Sequence, residues 1–515
     1  MKKRLVALLS LAASVAMMAA AANAEVSDET ITVAYNTELA SFDFNNLSNS
    51  GSNDYFGAYV DARLVMYDFE TGEAQPWLAE SWELQDDNMT YRFHLRDNVV
   101  SHNGFALTAQ DVIDSYQRAA DCKPNGKYTK YLDMEKCAVV DDLTVDIVTT
   151  EPFADTLAIL TLSPFVIKST AGIEAEGGYE AEAMNPQAGF GPYKFVEWVT
   201  GDHVTFERDD NFWGELPYYK TAIARIIPDD SARLMNLQSG DIQAMNRILP
   251  SQAQTAEDDT NIQVERKDNV NQMYQLILNN SSEPLKDARV RRALSMALNR
   301  EGALVSVFDG AGTVADGWFG SSVSVYAEPD ASAENYYQYD PEAAKALLEE
   351  AGYGDGFELT LICMEQQLYT SLAEFANMQW SELGVTVNIE ISDSPTFFEK
   401  MNSGSYDVVS IATSGNMYSS QGQIDPRLSI AEGGSCAFVD GGEEYEAAFA
   451  AASQNMYGTE ENKEALAKVQ DIIREYVPSV SVVNGQVIYG VKTGLTGVMM
   501  FSMGDPSFVF LHPEE

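Results

Sequence analysis

The residues able to do covalent or metal chemistry are few in this chain and lie far apart. Of 515 residues, four are histidines and four are cysteines. His94 falls on the polar side of an alternating run, and His102 precedes Asn103-Gly104. His203 follows Gly201-Asp202, and His512 lies near the carboxyl end. No HExxH helix, nucleophile elbow, Walker phosphate loop or calcium-loop spacing occurs. No CxxC pair marks a zinc knuckle or a redox site. Carboxylates are abundant, but spacing singles out no acid/base pair among them. What the chain does offer is hydrogen-bonding chemistry. Asn416, Tyr418 and Gln421 lie in a loop after an apolar strand and can donate to or accept from any small polar molecule. Trp318, in Asp316-Gly317-Trp318-Phe319, can stack on an apolar or sugar face, or pack in a core. These are the groups of a binder, so no catalytic residue, cofactor or metal is expected.

The amino terminus sets the compartment. Lys2, Lys3 and Arg4 precede an apolar run over residues 5–20, and Ala22-Asn23-Ala24 is a small-x-small cleavage site. Residues 1–24 read as a signal peptide cut after Ala24. The run is short for a membrane anchor, and the first cysteine, Cys122, is too far along to take a lipid. A periplasmic, unanchored protein is expected. Loss of the three basic residues leaves 29 basic against 78 acidic, a charge of −49. Such a surface repels phosphate backbones and excludes nucleic-acid binding. It is either a solvated acidic face or an attractor of cationic ligands. Cys122 and Cys137 flank a polar loop containing Pro124, Asn125 and Gly126, and in an exported protein a bridge between them is expected. Pairing of Cys363 with Cys436 is left open.

The remaining 491 residues exceed one core, and 45% hydrophobic content argues for two or three folded lobes. Within residues 75–111, Trp82 and Leu84 alternate with Glu83, then Asp86, Asp87 and Asn88 supply a turn. The return strand sets Tyr91, Phe93 and Leu95 opposite Arg92, His94 and Arg96. Thr108 with Asp111 forms a capping box that opens a helix. Strands are expected at 31–35, 139–149, 204–208, 357–362, 385–391 and 406–411. Helices are expected to end at Gly240, Gly352 and Gly384. A helix over 286–300 starts at Asp287 and places Arg289 and Arg292 on its outer face, as solvated charge. Alternating helices and strands in the later half imply an α/β lobe.

The signature at 75–111, Gly189-Phe190-Gly191-Pro192-Tyr193, Asn211-Phe212-Trp213-Gly214, the run from Leu234 to Asp241 and Asp425-Pro426 occur in an order that resembles the extracytoplasmic solute-binding proteins of peptide, opine and nickel ABC importers. The resemblance implies an α/β fold of the two-lobed periplasmic binding protein kind (Venus-flytrap type, class II) with an inserted subdomain. Lobe I would comprise 25–60, 169–272 and 487–515, the subdomain 61–168, and lobe II 273–486. It implies a monomer that captures a small solute and hands it to permease subunits in the inner membrane, with separate ATPase subunits. A peptide, an opine or an oligosaccharide fits this reading. A periplasmic chaperone or sensor partner is the alternative. By the same resemblance, ligand contacts are expected from Asn36, Thr37, Glu38, Trp318, Thr413, Ser414, Gly415, Asn416 and Tyr418.

The pocket departs from its relatives. The position of their amine-pairing aspartate is Asn416 here, which offers no charge. No lysine or arginine occurs from Gly356 to Glu399 or from Met401 to Pro426, so the usual carboxylate clamp is missing. Only a cation from elsewhere, such as Arg63 or Arg247, would substitute. Arg427 stands where nickel-type relatives have a histidine beside Asp-Pro, which argues against a metal chelate.

Overall fold

Period-two alternation builds the strands, and the strands sort by where they lie in the chain. The computed structural model describes residues 26–47, 51–268, 270, 272–315, 317, 325–328, 338–414, 420, 442–501 and 504–514. A seven-stranded sheet runs Ile262–Lys267, Val487–Lys492, Ala244–Met245, Ser27–Tyr35, Tyr219–Ile226, His203–Arg208 and Tyr193–Val199. Its central strand, Ser27–Tyr35, is parallel to both neighbours. A six-stranded sheet runs Thr313–Val314, Ser479–Asn484, Gln272–Leu278, Val408–Ser414, Phe357–Met364 and Val385–Ser392. There Phe357–Met364 is parallel to the strands on each side. A third, four-stranded antiparallel sheet takes Ala79–Leu84, Thr90–Leu95, Thr144–Val148 and Ala138–Asp141.

Each sheet has its own core. The seven-stranded sheet packs aromatic rings, with Tyr59 stacked on Phe206 at 4.4 Å. The six-stranded sheet carries helices on both faces. Ala288–Met296 and Gln367–Ser381 lie on one, where Trp380 Nε1 donates to the Leu294 carbonyl at 2.9 Å. Gly442–Ser453 and Glu460–Tyr476 cover the other. Helix Ala109–Asp121 covers the four-stranded sheet through Val112 and Tyr116, and its expected capping box is present between Thr108 and Asp111.

The two large sheets are joined by two short crossovers that lie side by side. One leads from Lys267 to Gln272, the other from Asn484 to Val487. The Asn484 side chain donates to the Val270 carbonyl at 3.2 Å, and Gly485 N donates to the Gln272 carbonyl at 2.8 Å. The four-stranded sheet is entered and left at one place, where Ile167 N donates to the Ala62 carbonyl at 2.8 Å.

Three expectations need correction. The apolar run 139–149 is a hairpin of two strands, turning at Asp142-Leu143. The helix expected over 286–300 is two helices, Ala288–Met296 and Arg300–Ser306, because the Asn299 side chain takes the Gly302 N–H and starts a new cap. The Cys122–Cys137 bridge is not formed: both thiols are free and buried. Cys122 ends helix Ala109–Asp121, while Cys137 Sγ accepts from Val148 N at 3.2 Å. The loop between them is folded into helical turns and pinned by Asn125, whose amide donates to the Asn45 carbonyl at 3.0 Å. Hydrogen bonds do there what a staple was expected to do. Cys363 is also free and buried, and Cys436 lies outside the described residues. Burial raises all three thiols, Cys363 to about 11. Unreduced protein should therefore expose at least three titratable thiols in denaturant and almost none when native. Two thiols or none in denaturant would restore the bridge.

Candidate functional site

Ligands of open α/β sheets sit outside the carboxyl ends of parallel strands. Here the two large sheets aim those ends at one another. On the seven-stranded side Asn36 and Thr37 follow Tyr35, and Asn246 and Arg247 follow Met245. On the six-stranded side Gln366 follows Phe357–Met364, and Thr413 lies at the end of Val408–Ser414. Arg247 Nη1 spans the gap, donating to Gln366 Oε1 at 3.2 Å.

The polar groups on each side are held from behind. Asn246 Nδ2 donates to Asn36 Oδ1 at 2.8 Å. Gln275 Nε2 donates to Thr413 Oγ1 at 2.7 Å, and Gln275 Oε1 accepts from Ser479 Oγ at 2.8 Å. Among the buried oxygens without a hydrogen-bond partner in the described residues, Thr37 Oγ1 and Asn246 Oδ1 lie here. An unmet buried acceptor or hydroxyl costs about 1–3 kcal/mol, so such a pair beside a cleft awaits an incoming partner.

Aromatic residues wall the site. Tyr35 stacks on Tyr55 at 4.7 Å, and the Tyr55 hydroxyl donates to Asp505 Oδ1 at 2.7 Å. Tyr274 and Tyr369 lie 6.1 Å apart between ring centroids. Burial raises the phenols of Tyr55, Tyr274 and Tyr369, so all three stay protonated donors. Burial pushes the Asp505 carboxyl up to about 6, against the Tyr55 hydrogen bond and with the help of the Asp54 charge. For Arg247, burial opposes the charge, but Tyr274, Asp230, Tyr369 and Tyr55 favour it, leaving its pKa raised.

Of the expected contact residues, Asn36 and Thr37 follow the end of Ser27–Tyr35, where Asn36 bonds Asn246, and Thr413 lies near the end of Val408–Ser414, where it bonds Gln275. Glu38 does not join them. Its carboxylate accepts from Trp198 Nε1 at 3.2 Å and Gly201 N at 2.6 Å, so it struts the turn between Tyr193–Val199 and His203–Arg208. Ser414 is described by its backbone, opposite Gln272. Trp318, Gly415, Asn416 and Tyr418 lie outside the described residues. Arg63 is unavailable as a clamp, since it is buried in an ion pair with Asp54. Asn246, Gln366, Gln275 and the three tyrosines were missed. The signal that finds Asn246 and Gln366 is their place just beyond the last residue of a strand.

His102 is half-buried, its Nε2 donating to the Gly191 carbonyl at 2.9 Å, and desolvation of the ring pushes it down to about 4, so it is neutral. Among the described residues no group of three or more His, Cys, Asp or Glu could hold a metal ion, and no helix is long and apolar enough to cross a membrane.

Comparison with known proteins bears on the fold and the family. The chain is 28% identical to the dipeptide-binding protein of Escherichia coli over 479 residues, covering 87% of each chain. It is 30% identical to heme-binding protein A of Haemophilus influenzae over 357 residues, 63% of each. A crystal structure of a Pseudoalteromonas dipeptide-binding protein in complex with Met-Leu superposes with a TM-score of 0.84 at 21% identity, covering 94% of this chain and 100% of that one. The fold is thus that of the two-lobed periplasmic binding proteins. The description of bacterial extracellular solute-binding proteins, family 5 (middle) matches residues 73–435, well over half of the sequence, and the chain belongs to that family.

Proposed function

We propose that this protein is the ligand-capturing component of a peptide-type ABC importer. After loss of residues 1–24 it works in the periplasm as a monomer. It traps a peptide or peptide-like solute between two lobes and delivers it to inner-membrane permease subunits, while separate ATPase subunits hydrolyse ATP. Lobe I comprises 25–60, 169–272 and 487–515, lobe II comprises 273–486, and 61–168 forms the inserted subdomain. The separate sheets and the single seam at Ala62 and Ile167 support this division.

The observation that carries the reading is the Arg247–Gln366 bond, which joins the carboxyl ends of two sheets hinged by two paired crossovers. Such a frame has few φ/ψ to change between open and closed forms, and a guest touching both sides favours the closed one by its difference in affinity. Contacts come from Asn36, Thr37, Asn246, Gln366 and Thr413, with Ser414, Gly415, Asn416, Tyr418 and Trp318 added from the sequence. The dipeptide-binding relative supports a peptide class of ligand.

The experiment is a calorimetric titration of the mature chain with dipeptides to tetrapeptides, opines and oligosaccharides. A peptide should bind, and Thr413→Val with Asn246→Ala should weaken it by roughly 2 kcal/mol, the worth of two buried hydrogen bonds. Binding of sugars alone would refute the peptide class, and binding that ignores both substitutions would refute the site.

A further inference from the structure

We infer that Arg247 is the carboxylate anchor of the ligand site, so the solute captured is an acid. This rests on the proposed function and adds the chemistry of its ligand.

Arg247 is held unlike the other arginines of the interior. Arg291 donates to the carbonyls of Tyr476, Val477, Leu285 and Lys286. Arg300 donates to the Ser481 and Ser295 carbonyls and to Ser295 Oγ. Arg233 pairs with Asp230 and also reaches the carbonyls of Ile227 and Arg247. Arg63 pairs with Asp54. By contrast the Arg247 guanidinium, partly buried between the sheets, donates one hydrogen bond among the described residues, to the neutral Gln366 side chain. No carboxylate among those residues lies within ion-pair distance of it. The acids near it are already engaged, Asp230 by Arg233 and Asp505 by the Tyr55 hydroxyl.

A charge withdrawn from water and left without a counter-charge is costly unless a partner arrives. A guanidinium fork presents several N–H donors in one plane and fits a carboxylate by two parallel bonds. Around it Tyr274 and Tyr369 keep their protons and add O–H donors, a surround suited to an anion. Asn246 Oδ1, beside it in the chain and without a partner, accepts an N–H from the same guest. The clamp that the sequence lacks between Gly356 and Pro426 is thus supplied from the other lobe.

The test titrates matched peptides of two to four residues, as free acids and as carboxyl-terminal amides, into wild type, Arg247→Gln, Arg247→Lys and Gln366→Glu. Wild type should prefer the acid by about 30-fold or more, the scale of losing one partner of a desolvated charge pair. Arg247→Gln should bind both forms alike, while its far-ultraviolet circular dichroism and cooperative melting stay those of a folded protein. Arg247→Lys should keep part of the preference. Gln366→Glu should answer the guanidinium from within, raise Tm and weaken the acid about tenfold or more. That variant decides the matter if Arg247→Gln misfolds. Equal binding of acid and amide by wild type, or a preference that survives Arg247→Gln, overturns the anchor and leaves the importer reading standing. Peptides that fail in both forms overturn both readings.

Discussion

Replacing Lys168 with methionine should cost about 3–5 kcal/mol near pH 8, the price of stranding a buried charge and a large share of the stability of a folded protein. Its ammonium lies 2.9 Å from Asp61 Oδ1 and 2.9 Å from Glu182 Oε1, with no solvent exposure on any of the three side chains. Asp61 and Lys168 flank the seam where the chain enters and leaves the four-stranded unit, and Glu182 belongs to the segment that follows. Glu182 is further held by Gln187 N at 2.9 Å and Ala188 N at 3.2 Å. Asp61 Oδ2 has no such support.

The triad carries one more negative charge than positive, so Asp61 holds its proton most readily. Burial raises it to about 6, with Lys168 opposing that rise. A carboxyl raised on folding binds more protons folded than unfolded. Its contribution is fully present below its ordinary value near 4 and is lost as pH rises through 6. Without Lys168 only the Arg63 charge opposes the rise, so acid should rescue the variant. Urea midpoints for Lys168→Met should recover toward wild type at pH 5 and collapse at pH 8. Adding Asp61→Asn should restore much of the loss at pH 8. Equal losses at both pH values would show that the carboxylates are not the cause.

Gly191→Ala should be nearly as damaging, by about 3 kcal/mol, for a steric reason. A Cβ there would fall 2.5 Å from the Val60 carbonyl carbon, 2.6 Å from the Tyr59 oxygen and 2.7 Å from Asp61 N. All are backbone atoms at the end of helix Gly51–Val60, to which Gly191 N itself bonds at 2.9 Å. Gly189 is as tight, 2.0 Å from the Val60 oxygen. Gly126→Ala is the control: its φ is −51° and nothing lies within 4 Å of its Cβ, so it should be neutral or stabilise by up to ~1 kcal/mol. Comparable Tm values for Gly191→Ala and Gly126→Ala would refute the close approach.

These two cases mark where the sequence could be read and where it could not. Local chemistry was legible. Thr108 and Asp111 form their capping box, and Gly240, Gly352 and Gly384 all take positive φ where helices were expected to stop. Gly189 and Gly191 stand out in the sequence only as part of a recurring block, and their work, to admit a passing backbone, shows only in the packed chain. Lys168 was invisible, because one lysine among 32 basic residues carries no sign of burial. The site suffered most. Its defining contacts join residues 119 apart, Arg247 with Gln366, and 138 apart, Gln275 with Thr413. Such pairs depend on which strands cross between sheets. Glu38 had the right neighbours in sequence, but strand direction turns it toward Trp198 and Gly201.

The most direct test of the account is small-angle scattering of the mature protein with and without a saturating peptide acid, in the same buffer. Two lobes swinging on the crossovers at 267–272 and 484–487 predict a smaller radius of gyration and a sharper long-distance cutoff in the liganded sample. Tight binding that leaves the scattering profile unchanged would contradict a cleft that closes on its guest.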